Sequence, residues 1–208
     1  MNFKAGIYYN DQFDSLFVIL NDIDKNKSEI VENKEYTLLY KDKNLVGLNI
    51  FNVGKKLKIA PGMVSHNREV IDFVNQILAK LKQEKIVHTP QLTIVKIEKA
   101  EPISETHLNL CQVNNGQETL QIVCGAKNVI SNSLAVLASI GTWMPNGMKI
   151  KASKLKGIES FGMLCSAKEL ELKNHNFGES GIILLDNKWE KFIGQDFLRV
   201  REEEFENK

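Results

Sequence analysis

The clearest helical period in this chain runs from Val70 to Leu81, and on both sides of it the sequence reads in short strands. Val70, Phe73, Val74, Ile77, Leu78 and Leu81 fall on one face of a 3.6-residue helix. Asn67 stands where an N-cap belongs, and Glu69 is placed to complement the helix dipole. Upstream, alternating or β-rich runs at residues 5–9, 15–20, 36–40 and 45–53 are separated by polar segments at 21–27 and 41–44. Four short strands leave one sheet face bare, and this helix is the available cover. Residues 1–85 therefore read as a small α+β unit of antiparallel strands and one amphipathic helix. A linker follows at 83–90, where Pro90 forbids a continued helix.

The second part is strands and turns. Residues 93–97 alternate, and 108–113 and 120–124 flank the turn signal Asn114-Asn115-Gly116. The small apolar run 134–139 fits helix or strand, and strands are expected at 148–152 and 181–185. Short strands at this spacing indicate a barrel or a sandwich. An oligonucleotide-binding (OB) barrel is compatible with the count but not demanded by it. Residues 187–208 read as an exposed C-terminal extension ending in a charged tail.

Composition narrows the function classes. A formal net charge of +1 means that nucleic-acid affinity has to come from a local patch. With 43% hydrophobic and 25% charged residues the chain is globular rather than disordered. No apolar run reaches the roughly 18 residues of a membrane span, and MNFKAGIYYNDQ lacks the pattern of a secretory signal. Cys111, Cys124 and Cys165 are widely spaced with no CxxC pair, which fits buried thiols in a reducing cytoplasm. His66, His88, His107 and His175 show no metal-ligand spacing, and no phosphate-cradling glycine loop is present. A thiol enzyme would rest on Cys165 ahead of a helix N-terminus, with His107 or His175 as base, and nothing supplies a pocket or an orienting group. The expectation is a protein that is not an enzyme and needs no metal or cofactor.

Residues 149–172, KIKASKLKGIESFGMLCSAKELEL, place four lysines within eight positions: Lys149, Lys151, Lys154 and Lys156. Met148, Ile150 and Ala152 alternate with the first of them, as in a strand with one buried and one polar face. The parity switches at Ser153–Lys154, where a bulge or turn is expected. Four ammonium groups on one rim are a footprint for phosphates, with salt-sensitive affinity. The plain alternative is a solvated strand, and Glu159 dilutes the field. Ser166 and Glu169 form a capping box that starts a short helix, which by itself explains the serine.

Two blocks match a known pattern in order and spacing. Leu155, Lys156, Gly157, Ser160, Gly162 and Met163 form one; Cys124, Gly125, Ala126, Lys127 and Asn128 form the other. Over residues 90–186 the chain resembles the tRNA-binding module of the OB class. That module occurs in free-standing bacterial tRNA-binding proteins, in methionyl- and phenylalanyl-tRNA synthetase appendices and in endothelial monocyte-activating polypeptide II. The resemblance implies an all-β OB barrel whose RNA-facing set is Asn128, Lys149, Lys151, Lys154, Lys156, Ser160 and Met163, with Lys127, Ser166 and Lys168 as secondary members. Asn128 and Ser160 would bond bases or 2′-hydroxyls, and Met163 would meet an unstacked base. Read from residue type alone, Asn128 equally closes a turn and Met163 equally fills core.

The family's histidine–proline turn is degraded here to Glu101-Pro102, with His107 nearest the usual lysine. Residues 1–85 resemble the segment preceding the module in YtpR-type proteins of Gram-positive bacteria. That segment would dimerise, meet a protein, or extend the RNA surface through Lys55, Lys56 and Lys58. The implied function is a cytoplasmic tRNA carrier, chaperone or synthetase helper, with an aminoacyl-tRNA synthetase or a second copy as further partners. The alternative is a protein-interaction module that keeps the RNA motif as structure. A general single-strand binder would need aromatic platforms, and the lysine segment offers only Phe161.

Overall fold

The computed structural model describes residues 4–22, 28–173, 176–178 and 180–206. Chain contacts divide it into two units, Met1–Thr89 and Pro90–Lys208. In the first, β1 (Gly6–Asn10), β2 (Ser15–Ile19), β3 (Glu29–Glu32), β4 (Tyr36–Lys41), β5 (Asn44–Phe51) and β6 (Gly62–Met63) form one sheet. Its order is β3-β4-β5-β2-β1-β6, antiparallel throughout. The sequence does not mark β3 and β6. β3 reads EIVE with every residue exposed, so it has no buried face to alternate against, and β6 spans two residues. Of the expected polar segment at 21–27, residues 23–27 lie outside the described residues.

Helix α1 (Arg68–Lys80) starts where Asn67 accepts a hydrogen bond from the Val70 amide, as expected. Val70, Ile71, Val74 and Leu78 pack on Ile7, Leu16, Leu48 and Ile50 of the sheet. The helix stops well before Pro90. Lys82 takes a left-handed φ of 57°, its N–H bonds the Ala79 carbonyl, and Gln83 N–H bonds the Leu78 carbonyl. That is a Schellman motif with lysine at the usual glycine position. The Asn75 amide then clamps both backbone groups of Ile86, so the expected linker is docked on α1 as far as Ile86.

In the second unit β7 (Leu92–Pro102), β8 (Asn109–Asn114) and β9 (Thr119–Cys124) form an antiparallel meander. β10 (Ser133–Ser139) returns to pair with β7, so the 134–139 run is a strand. Next come the hairpin β11 (Ser153–Leu155) and β12 (Ile158–Ser160), then β13 (Gly162–Leu164), which pairs with β10. β14 (Leu184–Leu185) also pairs with β10. The ring nearly closes at a seam between β9 and the β12–β13 corner, giving an OB-like, barrel-like sheet. Three bonds make the seam: Phe161 N–H to Gln121 O, Gln121 Nε2 to Glu159 O and Val123 N–H to Ser160 Oγ. Val95, Ile97, Cys111, Val113, Ile122, Ala135, Leu137 and Leu164 fill the interior.

Three expectations are corrected. The strand at 148–152 is absent. Residues 141–150 form an irregular loop tied by Ile150 N–H to Thr142 O and Met144 N–H to Met148 O, and regular pairing starts at Ser153. The parity switch is resolved one turn later, where Lys156 and Gly157 take φ of 49° and 84° between the paired Leu155 and Ile158. Those are the angles of a two-residue type I′ hairpin turn. The helix after Ser166 is a single turn, closed by Leu172 N–H on Ala167 O and Glu171 N–H on Lys168 O.

The third correction concerns the C-terminal extension, which is part of the unit and not a frayed tail. A 3-10 turn, Asn187–Phe192, leads to α2 (Phe197–Arg201), which packs against β7. Gly194 N–H and Ile94 N–H exchange bonds with Ile94 O and Gln195 O along the part of β7 that β8 leaves open. Trp189 and Phe197 are buried with ring centroids 5.3 Å apart, and Phe205 stacks on Trp189 at 4.4 Å. This second cover explains why Leu134 to Ala138 are all buried, and so why their periodicity could not be read.

Candidate nucleic-acid interface

The hairpin β11–β12 carries Lys154 and Lys156 on an exposed, two-stranded projection. Lys156 sits at its tip, in the first left-handed position of the type I′ turn. Lys154 faces Glu159 in register across the hairpin, a pairing of opposite charges that lowers the local positive field. Lys151 is exposed on the irregular lead-in to β11. Lys149 differs: half-buried, it holds its Nζ 5.1 Å from the ring centre of buried Trp143. That cation–π contact presets the side chain. Phe161, which the sequence reading named as the lysine segment's aromatic but left out of the RNA-facing set, is 36% exposed and lines a groove with Ala152, Ser153, Lys154 and Glu159. Its single-residue placement between β12 and β13 gives no periodic signal.

Ser160, expected in the RNA-facing set, is buried. It is 1% exposed, accepts from Val123 N–H at 3.0 Å and donates to Gly162 O at 3.1 Å, so its hydroxyl is spent on the barrel seam. Gly162 lets β13 close on β10, since a Cβ there would stand 2.8 Å from Ala138 O. Asn128 is likewise structural. Its amide accepts from Ile182 N–H at 2.9 Å and donates to Ile182 O at 2.8 Å, fixing the β9–β10 loop to the segment before β14.

Met163 and Ser166 share a different place, a hollow of about 330 Å³ lined also by Cys124, Gly125, Ala126, Glu169, Gly181 and Ile182. Met163 is half-buried there. Ser166 exchanges both capping-box bonds with Glu169: its N–H and Oγ reach Glu169 Oε2 at 2.7 Å, and Glu169 N–H reaches Ser166 Oγ at 3.2 Å. Lys127 and Lys168 are exposed on the loop and turn bordering the hollow. Hairpin and hollow thus adjoin along one seam, the hairpin bonded at Gln121 and Val123 of β9 and the hollow lined by Val123 and Cys124.

The β7–β8 turn that departs from the family pattern brings His107 beside Gly125 at the hollow's edge, while Lys99 pairs with Glu101 at 2.8 Å. Cys165 is fully buried, and burial drives its thiol far above the ordinary range, the reverse of activation. Cys111 is pushed up to about 12 by burial and by neighbouring Cys124, and burial also raises Cys124. Thiolate chemistry at these positions is therefore suppressed. His175 lies outside the described residues. No helix among the described residues is long and apolar enough to cross a membrane.

Residues 92–190 match the family described as "Putative tRNA binding domain". The chain is 34% identical over 192 residues to the "Putative tRNA-binding protein YtpR" of Bacillus subtilis, covering 88% of this chain and 95% of that protein. It is 49% identical over 89 residues to the phenylalanine–tRNA ligase beta subunit of Campylobacter jejuni, covering 43% of this chain and 11% of the ligase subunit. Among solved structures, a methionyl-tRNA-synthetase-related protein of Pyrococcus horikoshii aligns at TM-score 0.36 and 23% identity, over 50% of this chain and 86% of that one. Near-complete coverage of the Bacillus protein, with the family's two blocks building the barrel seam, means that the chain belongs to the YtpR family.

Proposed function

We propose that this protein binds folded tRNA without catalysing a reaction, and that the contact is made by the lysine hairpin and its lead-in. The observation that carries the reading is the projection itself. Lys151, Lys154 and Lys156 stand in solvent on a braced hairpin beside exposed Phe161, with Lys149 held over Trp143. This arrangement suits phosphates through the ammonium groups and one unstacked base through the ring. Lys127, Lys168 and Met163 around the hollow extend the surface. Recognition by shape and backbone follows, since the exposed set holds few base-reading groups. The protein then serves in the cytoplasm as a tRNA carrier, chaperone or synthetase helper. We read residues 1–85 as its α+β partner domain, with dimerisation or a synthetase contact as its further roles.

A second reading has its own support. Ser160, Gly162 and Asn128 of the family pattern are all spent on internal contacts, so the pattern would persist in a barrel that docks on a protein and binds no RNA. The test is a salt series of folded-tRNA binding for wild type and for Lys149, Lys151, Lys154 and Lys156 changed together to Ala. Wild-type binding with a log–log slope of about −3, flattened and weakened in the variant, supports the tRNA reading. Equal binding by both, or none at low salt, leaves the docking-module reading in its place.

A further inference from the structure

The first unit has an exposed aromatic that neither reading uses. Phe13, 72% exposed, sits on the β1–β2 turn. The turn is braced on every side. Phe13 N–H bonds Asn10 Oδ1 at 3.1 Å, Ser15 Oγ bonds Phe13 O at 2.7 Å, and Asp14 N–H bonds Asp11 O at 3.3 Å. Asp14, at a φ of 44°, accepts from Tyr9 Oη at 3.1 Å and from Gly54 N–H at 2.5 Å. Val53 N–H in turn bonds Asp14 O at 3.2 Å. The Phe13 turn is thereby laced to Gly54, which opens the basic turn Gly54-Lys55-Lys56-Leu57-Lys58. That turn is closed by Lys56 N–H and Leu57 N–H on Val53 O. Lys55, Lys56 and Lys58 are all exposed, and Lys56 Nζ stands 5.6 Å from the Phe73 ring centre on α1.

We propose that the Phe13 turn and the Lys55–Lys58 turn form a second RNA-contact site, which takes a single-stranded segment by stacking one base on Phe13 and holding its phosphates on the lysines. An exposed ring on a braced turn that is hydrogen-bonded to a turn carrying ammonium groups is the combination that sequence-tolerant single-strand sites use. Three lysines against Asp11 and Asp14 leave a positive balance, and Asp14 is engaged with Tyr9 and Gly54. The site extends RNA binding to the first unit but stands on residues other than the barrel's, so each fails separately.

The test uses the full chain and a fluorescent oligouridylate of about 12 nucleotides, within the usual range of single-strand sites, alongside folded tRNA. Phe13→Ala, and Lys55, Lys56 and Lys58 changed together to Ala, each weaken oligouridylate binding by about fivefold or more. Phe13→Trp keeps affinity, and RNA quenches its fluorescence. In the background of the four-lysine barrel variant, Phe13→Ala still weakens oligouridylate binding by about fivefold or more, whatever happens to tRNA. Absence of oligouridylate binding by wild type, or first-unit variants within about twofold of it, overturns the proposal even if tRNA binds through the barrel. A Phe13→Ala effect confined to oligomeric state assigns the ring to a protein contact and overturns it equally.

Discussion

Asp196→Ala is the sharpest probe of how the second unit is held together. The buried carboxylate accepts from Leu198 N–H and Arg199 N–H through Oδ1, at 3.1 and 3.2 Å, as the N-cap of α2. Through Oδ2 it accepts from Gln91 N–H at 2.7 Å and Leu92 N–H at 3.4 Å, at the other end of the unit. Loss of the cap costs about 1 kcal/mol. Withdrawing this acceptor from the buried Gln91 N–H costs roughly 1–3 kcal/mol more. The expected destabilisation is therefore about 2–4 kcal/mol, or a fall in Tm of about 8–15 °C for a unit of this size. Asp196→Asn keeps one acceptor oxygen and is expected to lose about half as much.

The assay is urea unfolding followed by tryptophan fluorescence. The chain's two tryptophans, Trp143 and Trp189, both lie in the second unit and are buried, so the signal reports that unit alone. The variant shifts the midpoint with the slope unchanged. A loss below about 0.5 kcal/mol for Asp196→Ala would refute the reasoning, because the C-terminal segment would then be held by something other than this clamp.

Two further outcomes follow from the same geometry. Gly181→Ala sets a Cβ onto the Asn128 amide at a φ of +83°, so it costs about 2–3 kcal/mol by thermal melting, and a neutral result would show the Asn128–Ile182 clamp to be dispensable. The three cysteines resist alkylation in the native state and react on unfolding, since all are buried with raised pKa values. Their pH dependence has a definite sign. Cys111 rises from 9.0 to about 12 on folding, so unfolded thiols ionise first. Stability is intact below about pH 9 and falls as pH climbs towards 12. Urea midpoints under reductant at about pH 8 and about pH 10.5 should show this fall, and Cys111→Ala should lessen it; a midpoint rising with pH would contradict the assignment.

What the sequence disclosed depended on one-sided burial. α1 and β8 bury one face, so their periods were legible, while β1, β2, β4, β5, β7 and β9 were marked by β-rich runs between polar turns. β10 is buried on both faces and β3 on neither, and both lost their signal for that reason. The turn at Lys156–Gly157 was hidden because lysine, not asparagine, occupies its first left-handed position. The C-terminal anchor was missed because its charged residues dominate the eye, while the informative ones are Trp189, Asp196 and Phe197, spaced irregularly. At the candidate site the lysines stood out by type, whereas Ser160 and Asn128 were assigned to RNA through the resemblance and are engaged in internal hydrogen bonds.

That division says why a family pattern and a binding surface need not be the same residues. The pattern positions Cys124, Asn128, Ser160 and Gly162 either lie along the seam or are fixed by backbone bonds. A change at any of them strains ring closure, whatever the barrel binds. Lys154 and Lys156 sit exposed on the projection that the seam aims, while Lys149 lies over the buried Trp143. Loss of Ser160 would therefore reduce RNA binding only as far as it loosens the hairpin's attachment, and would register in stability at least as strongly as in affinity. On the tRNA reading, loss of Lys154 or Lys156 would weaken binding and flatten its salt dependence while leaving stability unchanged. The pairing of those two readouts, stability for the seam and salt slope for the hairpin, separates a barrel that binds RNA from one that only shares its framework with those that do.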